Sequence, residues 1–405
     1  MNIPNDWNEM RLCDVLDTLE NGSRPKGGIN DLDEDIPSLG GEHLNSIGGF
    51  NFISIKYISI DFYESLKRGK INNGDVLVVK DGATTGKTSF VNEDFPFEKS
   101  AVNEHVFILR GKKDLIHQKY LFYHLFSPTG QRQIAANFHG AAVGGINTQF
   151  IKNYNLVLPP FETQKKIVSL LDKIEKLKEY RKQSHKLTID YLDSAFLKLF
   201  GDPVKNEKNW KLAKLKDICK LITVGIVVKP ASYYVSDGVP ALRGLNVRKN
   251  RIIMDDLVYI SEENNNTILS KSKIKYRDVL IVRSGYPGTA CIVPKELDGA
   301  NCIDLIILRP DDDMVKSEYL CSFINNDKIK NLILSTQTGS AQKHFNIGAV
   351  KKLDILVPSI ESQIIYSSVV KNINKLEKTQ NQSKEKIDDF FQVILKKSMS
   401  GEIRC

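Results

Sequence analysis

The sequence predicts a mixed α/β protein of two tandem domains related by pseudo-two-fold symmetry, separated by two long antiparallel helices that form a coiled coil. Three observations carry this prediction. The chain repeats itself at a long period, each copy opens with short strand-like runs, and each copy closes with a long stretch of helical patterning. At 405 residues the chain is long enough for two domains that each bury a core.

The repeat is found by sliding the sequence against itself. Trp7 aligns with Trp210, Ile36-Pro37 with Val239-Pro240, and Gly74 to Val79 with Arg277 to Val282, all at an offset of 203. Leu158-Pro159 aligns with Val357-Pro358, and Glu162-Thr163-Gln164 with Glu361-Ser362-Gln363, at an offset of 199, so four residues are lost between the blocks. A period this long is a duplicated domain with its connector, not a solenoid unit. The resulting division is domain one over 1–160, a helical spacer over 161–200, domain two over 201–358 and a second helical spacer over 359–405.

Within each copy, Val76 to Val79 and Val106 to Leu109 are short β-rich runs, matched by Val279 to Val282 and Leu305 to Leu308. Clusters of Gly, Asn and Asp between them predict loops. Pro159-Pro160 and Pro358 then mark a boundary, after which the periodicity becomes helical. Apolar residues fall at Ile167, Leu170, Leu171, Ile174, Leu177, Leu187, Tyr191, Leu192, Ala195, Phe196 and Leu199. In the second copy they fall at Ile364, Ile365, Val369, Ile373, Leu376, Ile387, Phe390, Phe391, Ile394 and Leu395. A helix of ~40 residues is ~60 Å long, longer than one domain is wide, and packing the two apolar stripes together buries both. Both stripes weaken at Lys178 to Lys186 and Lys378 to Lys386, where exposure, a break or another subunit is expected.

Composition excludes several classes. A hydrophobic content of 41% with 26% charged residues belongs to a folded, soluble chain. No leader-like start and no apolar run of ~20 residues is present, so a cytoplasmic protein with no membrane contact is expected. Cys13, Cys219, Cys291, Cys302, Cys321 and Cys405 are scattered without zinc-site spacing, and read as reduced, mostly buried thiols. The net charge of +8 permits a polyanionic partner. It is unevenly spread: residues 1–160 carry 16 basic against 19 acidic side chains, and residues 201–358 carry 24 against 18.

Two motifs imitate catalytic ones. Gly82-Ala83-Thr84-Thr85-Gly86-Lys87-Thr88 has three residues between its glycines where a phosphate-binding loop needs four, and the second copy has no such lysine, so a turn between strands is expected. Leu158-Pro159-Pro160-Phe161 echoes an adenine-methyltransferase motif, but its leucine has no polar group for the target amine. A strand-to-helix boundary is expected there. No nucleophile, base or paired-carboxylate arrangement recurs between the copies, which predicts a non-enzymatic chain.

Taken in order, these landmarks resemble the specificity subunits of type I restriction-modification systems over nearly the whole chain. They are Asp6-Trp7 with Arg11-Leu12, the Gly22-Ser23-Arg24-Pro25-Lys26 loop, Gly74-Asp75-Val76-Leu77, Leu158-Pro159-Pro160-Phe161 with Gln164, and Leu199-Phe200-Gly201-Asp202-Pro203 before Asn209-Trp210. Thr163 stands where the family commonly has Glu, and Ser359 and Ser362 replace a Pro and a Glu in the second copy. The resemblance implies two target recognition domains, each reading one half of a bipartite site in double-stranded DNA, with the helices fixing the spacing. It implies two adenine methyltransferase subunits and two restriction/translocase subunits as partners. S-adenosylmethionine, ATP and Mg would be used by those partners, with no cofactor and no metal bound by this chain.

Candidate DNA-binding residues are Arg24, Lys26, Lys80 and Lys87 in the first copy, and Arg243, Asn246, Arg248, Lys249, Arg251, Arg283, Gln342, Lys343 and His344 in the second. Arg and Lys bind phosphates, and Arg or Asn can bridge guanine or adenine edges. Two other readings remain open: an interaction scaffold with no DNA role, and a component of a fused restriction-methylation system.

Overall fold

The computed structural model describes residues 4–25, 36–140, 144–335 and 346–403. The chain forms two compact units, Met1–Arg181 with Gln382–Cys405, and Lys182–Asn381. Each unit therefore holds one domain and part of each long helix, a division that cuts across the domain-and-helix boundaries read from the sequence.

The first domain is built on a four-stranded antiparallel sheet of β1 (Leu16–Asn21), β2 (Val76–Val79), β3 (Thr88–Phe90) and β4 (Val106–Gly111), in the order β1-β4-β2-β3. β2 is buried along its whole length, which explains its unbroken Val/Leu run. Beside this sheet Ile36–Leu39 pairs antiparallel with Lys56–Ile58 and parallel with Ala101–Val102. Asn8–Arg11 pairs with Asn155–Leu158, tying the start of the domain to the strand before α1 (Phe161–Phe200).

The second domain repeats the plan. β5 (Cys219–Val224), β6 (Val279–Val282), β7 (Ala290–Ile292) and β8 (Leu305–Pro310) form the order β5-β8-β6-β7. Val239–Leu242 pairs with Val258–Ile260 and Asn301–Cys302, and Lys211–Lys214 with Asp354–Val357. α2 (Ile360–Met399) follows.

Both β-hairpin turns, Lys80 to Lys87 and Arg283 to Thr289, are closed by glycines at positive φ: Gly82 and Gly86 at +88°, Gly285 at +82° and Gly288 at +81°. The phosphate-loop look-alike is thus a hairpin turn, as expected. Leu158-Pro159-Pro160-Phe161 is the junction between the strand Asn155–Leu158 and α1.

A glutamine anchors each long helix to its own domain. Gln164 donates to the Pro159 and Leu115 carbonyls, both at 2.9 Å, and accepts from the His117 amide at 2.7 Å. Gln363 repeats this with Pro358, Met314 and Lys316, at 2.9, 3.2 and 2.8 Å. Both are fully buried, so removing either amide would orphan buried backbone groups.

Within the first unit Ile167, Leu171 and Ile174 of α1 share a core with Phe391, Leu395 and Met399 of α2, and Lys178 pairs with Asp388 at 2.8 Å. Within the second, Leu192, Phe196 and Phe200 pack with Tyr366, Val370 and Ile373. Residue numbers rise on one helix as they fall on the other, so the pair is antiparallel in each unit. Neither helix breaks where its stripe weakens. Instead the buried Gln380 amide donates to Ser184 Oγ at 3.0 Å and Thr188 Oγ1 at 2.9 Å, a polar layer that fixes helix register. Leu177, Leu187 and Tyr191 of the expected stripe, and Ile364, Ile365, Leu376 and Phe390 of its counterpart, are instead exposed. The apolar residues occupy more of each helix circumference than a single partner helix and the domain wall can cover.

Cys291, Cys302 and Cys321 are buried free thiols, while Cys13 and Cys219 are half-buried. Burial pushes the Cys219 thiol up to about 12. Among the described residues no helix is long and apolar enough to cross a membrane.

Candidate nucleic-acid interface

In each domain the antiparallel register brings three chain segments to one end of the main sheet. Asn21, where β1 ends, lies opposite Phe107 near the start of β4, and Val79, where β2 ends, lies opposite Val106. Val224 with Ile306 and Val282 with Leu305 repeat this in the second domain. The chain leaving β1 or β5 is pressed against the strand before β4 or β8. A Cβ on Gly22 would stand 1.5 Å from the Val102 carbonyl oxygen, and one on Gly225 2.3 Å from that of Cys302. Only glycine fits this approach, and the two glycines are 203 residues apart.

In the first domain Arg24, Lys80, Asp81, Glu104 and His105 meet at this end. Arg24 Nε lies 3.1 Å from Glu104 Oε2, and Lys80 Nζ 3.4 Å from Asp81 Oδ2 and 3.2 Å from the Glu104 carbonyl. The His105 ring is held at both nitrogens, 2.5 Å from Asp81 and 3.3 Å from Glu104. Backbone bonds from Lys80 N–H to His105 O, and from Ile146 N–H to Lys80 O, lock the loops together. Lys87 sits half-buried at the far side of the same hairpin.

In the second domain the matching end holds Arg283, Ser284 and Asp304. Arg283 Nη1 lies 2.5 Å from Asp304 Oδ1, and Ser284 donates to Asp304 Oδ2 at 3.1 Å. The bend before β8 is one residue shorter than its counterpart before β4, and Asp304 takes a left-handed φ of +50° to close it. Tyr286, 71% exposed, tops the hairpin, with the Arg248 guanidinium 5.9 Å from its ring centre.

The remaining second-domain candidates disperse. Asn246 is fully buried: it accepts from the Arg243 N–H at 2.9 Å and donates to the Ile253 and Asp255 carbonyls at 3.1 and 2.9 Å. Its amide builds a 3₁₀ turn, the same turn that His43 caps in the first domain through a 2.8 Å bond from the Gly40 N–H. Arg243 pairs with Asp256 at 3.0 Å. Lys249 reaches Asp193 on α1 at 2.8 Å, and Arg251 is exposed on the same hairpin. Lys26, Gln342, Lys343 and His344 lie outside the described residues.

Asp81, Glu104, His105, Ser284 and Asp304 were not singled out from the sequence. They could have been, because the repeat places Lys80 and Arg283 at one position, and Glu104-His105 and Asp304 at another just before matched strands. Among the described residues no group of side chains could hold a metal ion.

The chain matches the type I restriction modification DNA specificity domain twice, over residues 4–187 and 207–388. The MjaVIII type I restriction enzyme specificity subunit of Methanocaldococcus jannaschii is 21% identical over 422 residues, covering 100% of this chain and 94% of that protein. The putative MjaX specificity subunit of the same organism is 22% identical over 420 residues, covering 99% and 95%. A solved structure from work on complex assembly and conformational transition of the type I restriction-modification system superposes with a TM-score of 0.65 at 18% identity, covering 100% of both chains. The type I restriction-modification S subunit from M. genitalium does so with 0.56 at 13% identity, over 98% of each. These structural likenesses speak to the fold alone. The paired domain matches, spanning most of the sequence, place the chain in the family of type I restriction-modification specificity subunits.

Proposed function

We propose that this chain reads a bipartite, asymmetric site in duplex DNA, one half-site per domain, and aims partner enzymes at it without catalysing a reaction itself. One observation carries the reading. The two domains share strand order, glutamine anchors and a buried Asp–Arg pair while the side chains at the loop end of the sheet differ, as expected of two readers of unlike half-sites. Arg24, Lys80, Lys87, Arg248 and Arg283 supply charge for phosphate contacts or base edges.

The partners proposed are two adenine methyltransferase subunits, using S-adenosylmethionine, and two restriction/translocase subunits using ATP and Mg. Exposed apolar side chains on the long helices support protein partners there: Leu177 and Tyr180 in the first unit, Leu187 and Tyr191 in the second. A cytoplasmic location fits this role.

The test is a domain exchange. Replacing residues 1–150 with the same region of a relative should change one half of the methylated sequence and leave the other intact; a change in both halves refutes modular reading. Binding to duplex DNA should also weaken steeply with salt, because phosphate contacts release counterions. A scaffold with no DNA role would show no such binding.

A further inference from the structure

We infer that the charged cluster at the end of the central strand is the base-reading position of each domain, with Arg283 reading guanine in one half-site and Lys80 occupying the equivalent reading position for the other. This rests on the DNA-reading role proposed above and assigns it to particular side chains.

The duplication supplies its own control. Asp75 and Arg110 form a two-pronged ion pair, with Nε–Oδ1 and Nη2–Oδ2 at 2.6 and 2.7 Å, and Asp278 and Arg309 form the same pair at 2.8 and 2.7 Å. The acids are nearly inaccessible, at 2% and 1%. A pair that only builds the frame thus keeps its residues in both copies. At the other end of the same sheets the position is kept and the residues change: Lys80 against Arg283, Asp81 against Ser284, Glu104-His105 against Asp304. The titratable members are partly open, from 24% for Asp81 and Arg283 to 44% for Asp304, and Ser284 is exposed. Two readers of different bases require charged groups that change identity at one fixed, partly open place.

Geometry agrees with chemistry. Asp304 holds one Nη of Arg283, and Arg283 Nε is buried with no hydrogen-bond partner among the described residues, so it is the Nη edge of the guanidinium that can meet a base. A guanidinium has five N–H groups in a planar fork, and that fork matches O6 and N7 of guanine in the major groove. Asp304 reaches Arg283 from the bend before β8, which it closes in a left-handed conformation that Asp adopts readily. In the first domain Lys80 holds this position beside His105, whose two ring nitrogens are taken by Asp81 and Glu104, so the lysine ammonium and not a planar fork is what this half offers a base.

The test uses the full chain, purified with the subunits that accompany it, to select from a pool of randomised duplex DNA. Arg283→Gln and Arg283→Lys should each lose preference for guanine at one position of one half-site, by roughly 5- to 150-fold. Lys80→Gln should alter one position of the other half-site. In each case the unaltered half-site reports that the chain is folded. Lys220→Gln, at an exposed pair with Asp311, should leave every preference intact. Unchanged preferences in both Arg283 variants, or a loss shared equally by the two half-sites, overturn the assignment while leaving DNA reading in place. A wild-type selection that yields no bipartite sequence overturns the reading beneath it.

Discussion

The first domain buries a histidine and a tyrosine where the second buries a phenylalanine and a leucine, yet both keep the same paired aspartate and arginine. His124 and Tyr154 bond at 2.8 Å in full burial; Phe323 and Leu353 take their places 199 residues on. Core identity is therefore negotiable in this frame when volume and polarity change together. The Asp75–Arg110 and Asp278–Arg309 pairs are not, because each acid is sealed from water and an unpaired buried charge is far more costly than a repacked side chain.

The largest effect should come from breaking that shared pair. Arg309→Ala leaves Asp278 buried beside the Lys273 carbonyl that Arg309 also serves, and should destabilise the second domain by about 3–5 kcal/mol. Arg110→Ala should do the same to the first. Hydrogen exchange resolved by peptide would assign each loss to its own domain. A cost below about 1 kcal/mol in either would show that the acid is solvated after all and that the pair is not what the two copies have in common.

Acid should separate the domains next. Burial pushes the His124 pKa down from 6.5 to about 4, so between those values the unfolded chain binds a proton that the folded domain refuses. Stability contributed by a neutral His124 is then complete above pH 6.5 and falls as the pH drops towards 4. From pH 7 to pH 5 the first domain should lose about 2 kcal/mol relative to the second. His117 is also lowered by its burial, and Glu175 is raised by its own, so the control is the double variant His124→Phe with Tyr154→Leu. If this transplant of the second domain's pair leaves acid sensitivity unchanged, His124 is not its source.

How much of this was legible in the sequence follows the same division between frame and loop. The offset of 203 falling to 199 located β2, β4, β6 and β8 and both glutamine anchors, because strands that pair in register cannot gain or lose residues without moving a whole face. The missing residues fall in the hairpin turn and in the bends before and after the strands Ala101–Val102 and Asn301–Cys302, where length is free. Apolar spacing located α1 and α2. It did not say which side each residue faces, so Leu187 and Tyr191 read as seam residues although they are exposed. Choosing candidates by residue type took in Lys80 and Arg283, which the repeat places at one position, and it also took in Asn246. A polar side chain in a loop can serve its own backbone as readily as a ligand, and only the three bonds of its amide distinguish the two.

That residue gives the finest test of the comparison. His43 and Asn246 cap equivalent 3₁₀ turns, and each accepts one backbone N–H. Asn246 also satisfies two buried carbonyls, whereas His43 Nε2 is buried with no hydrogen-bond partner among the described residues. Truncating Asn246 abandons three bonds; truncating His43 abandons one and removes an unsatisfied group. Asn246→Ala should therefore cost its domain about 1 kcal/mol more than His43→Ala costs the other, as read from urea midpoints at constant slope. The two substitutions should leave base preference alone. If Asn246→Ala shifts the selected sequence at unchanged stability, the amide reaches beyond its own turn, and the line between frame and reader must be redrawn to include it.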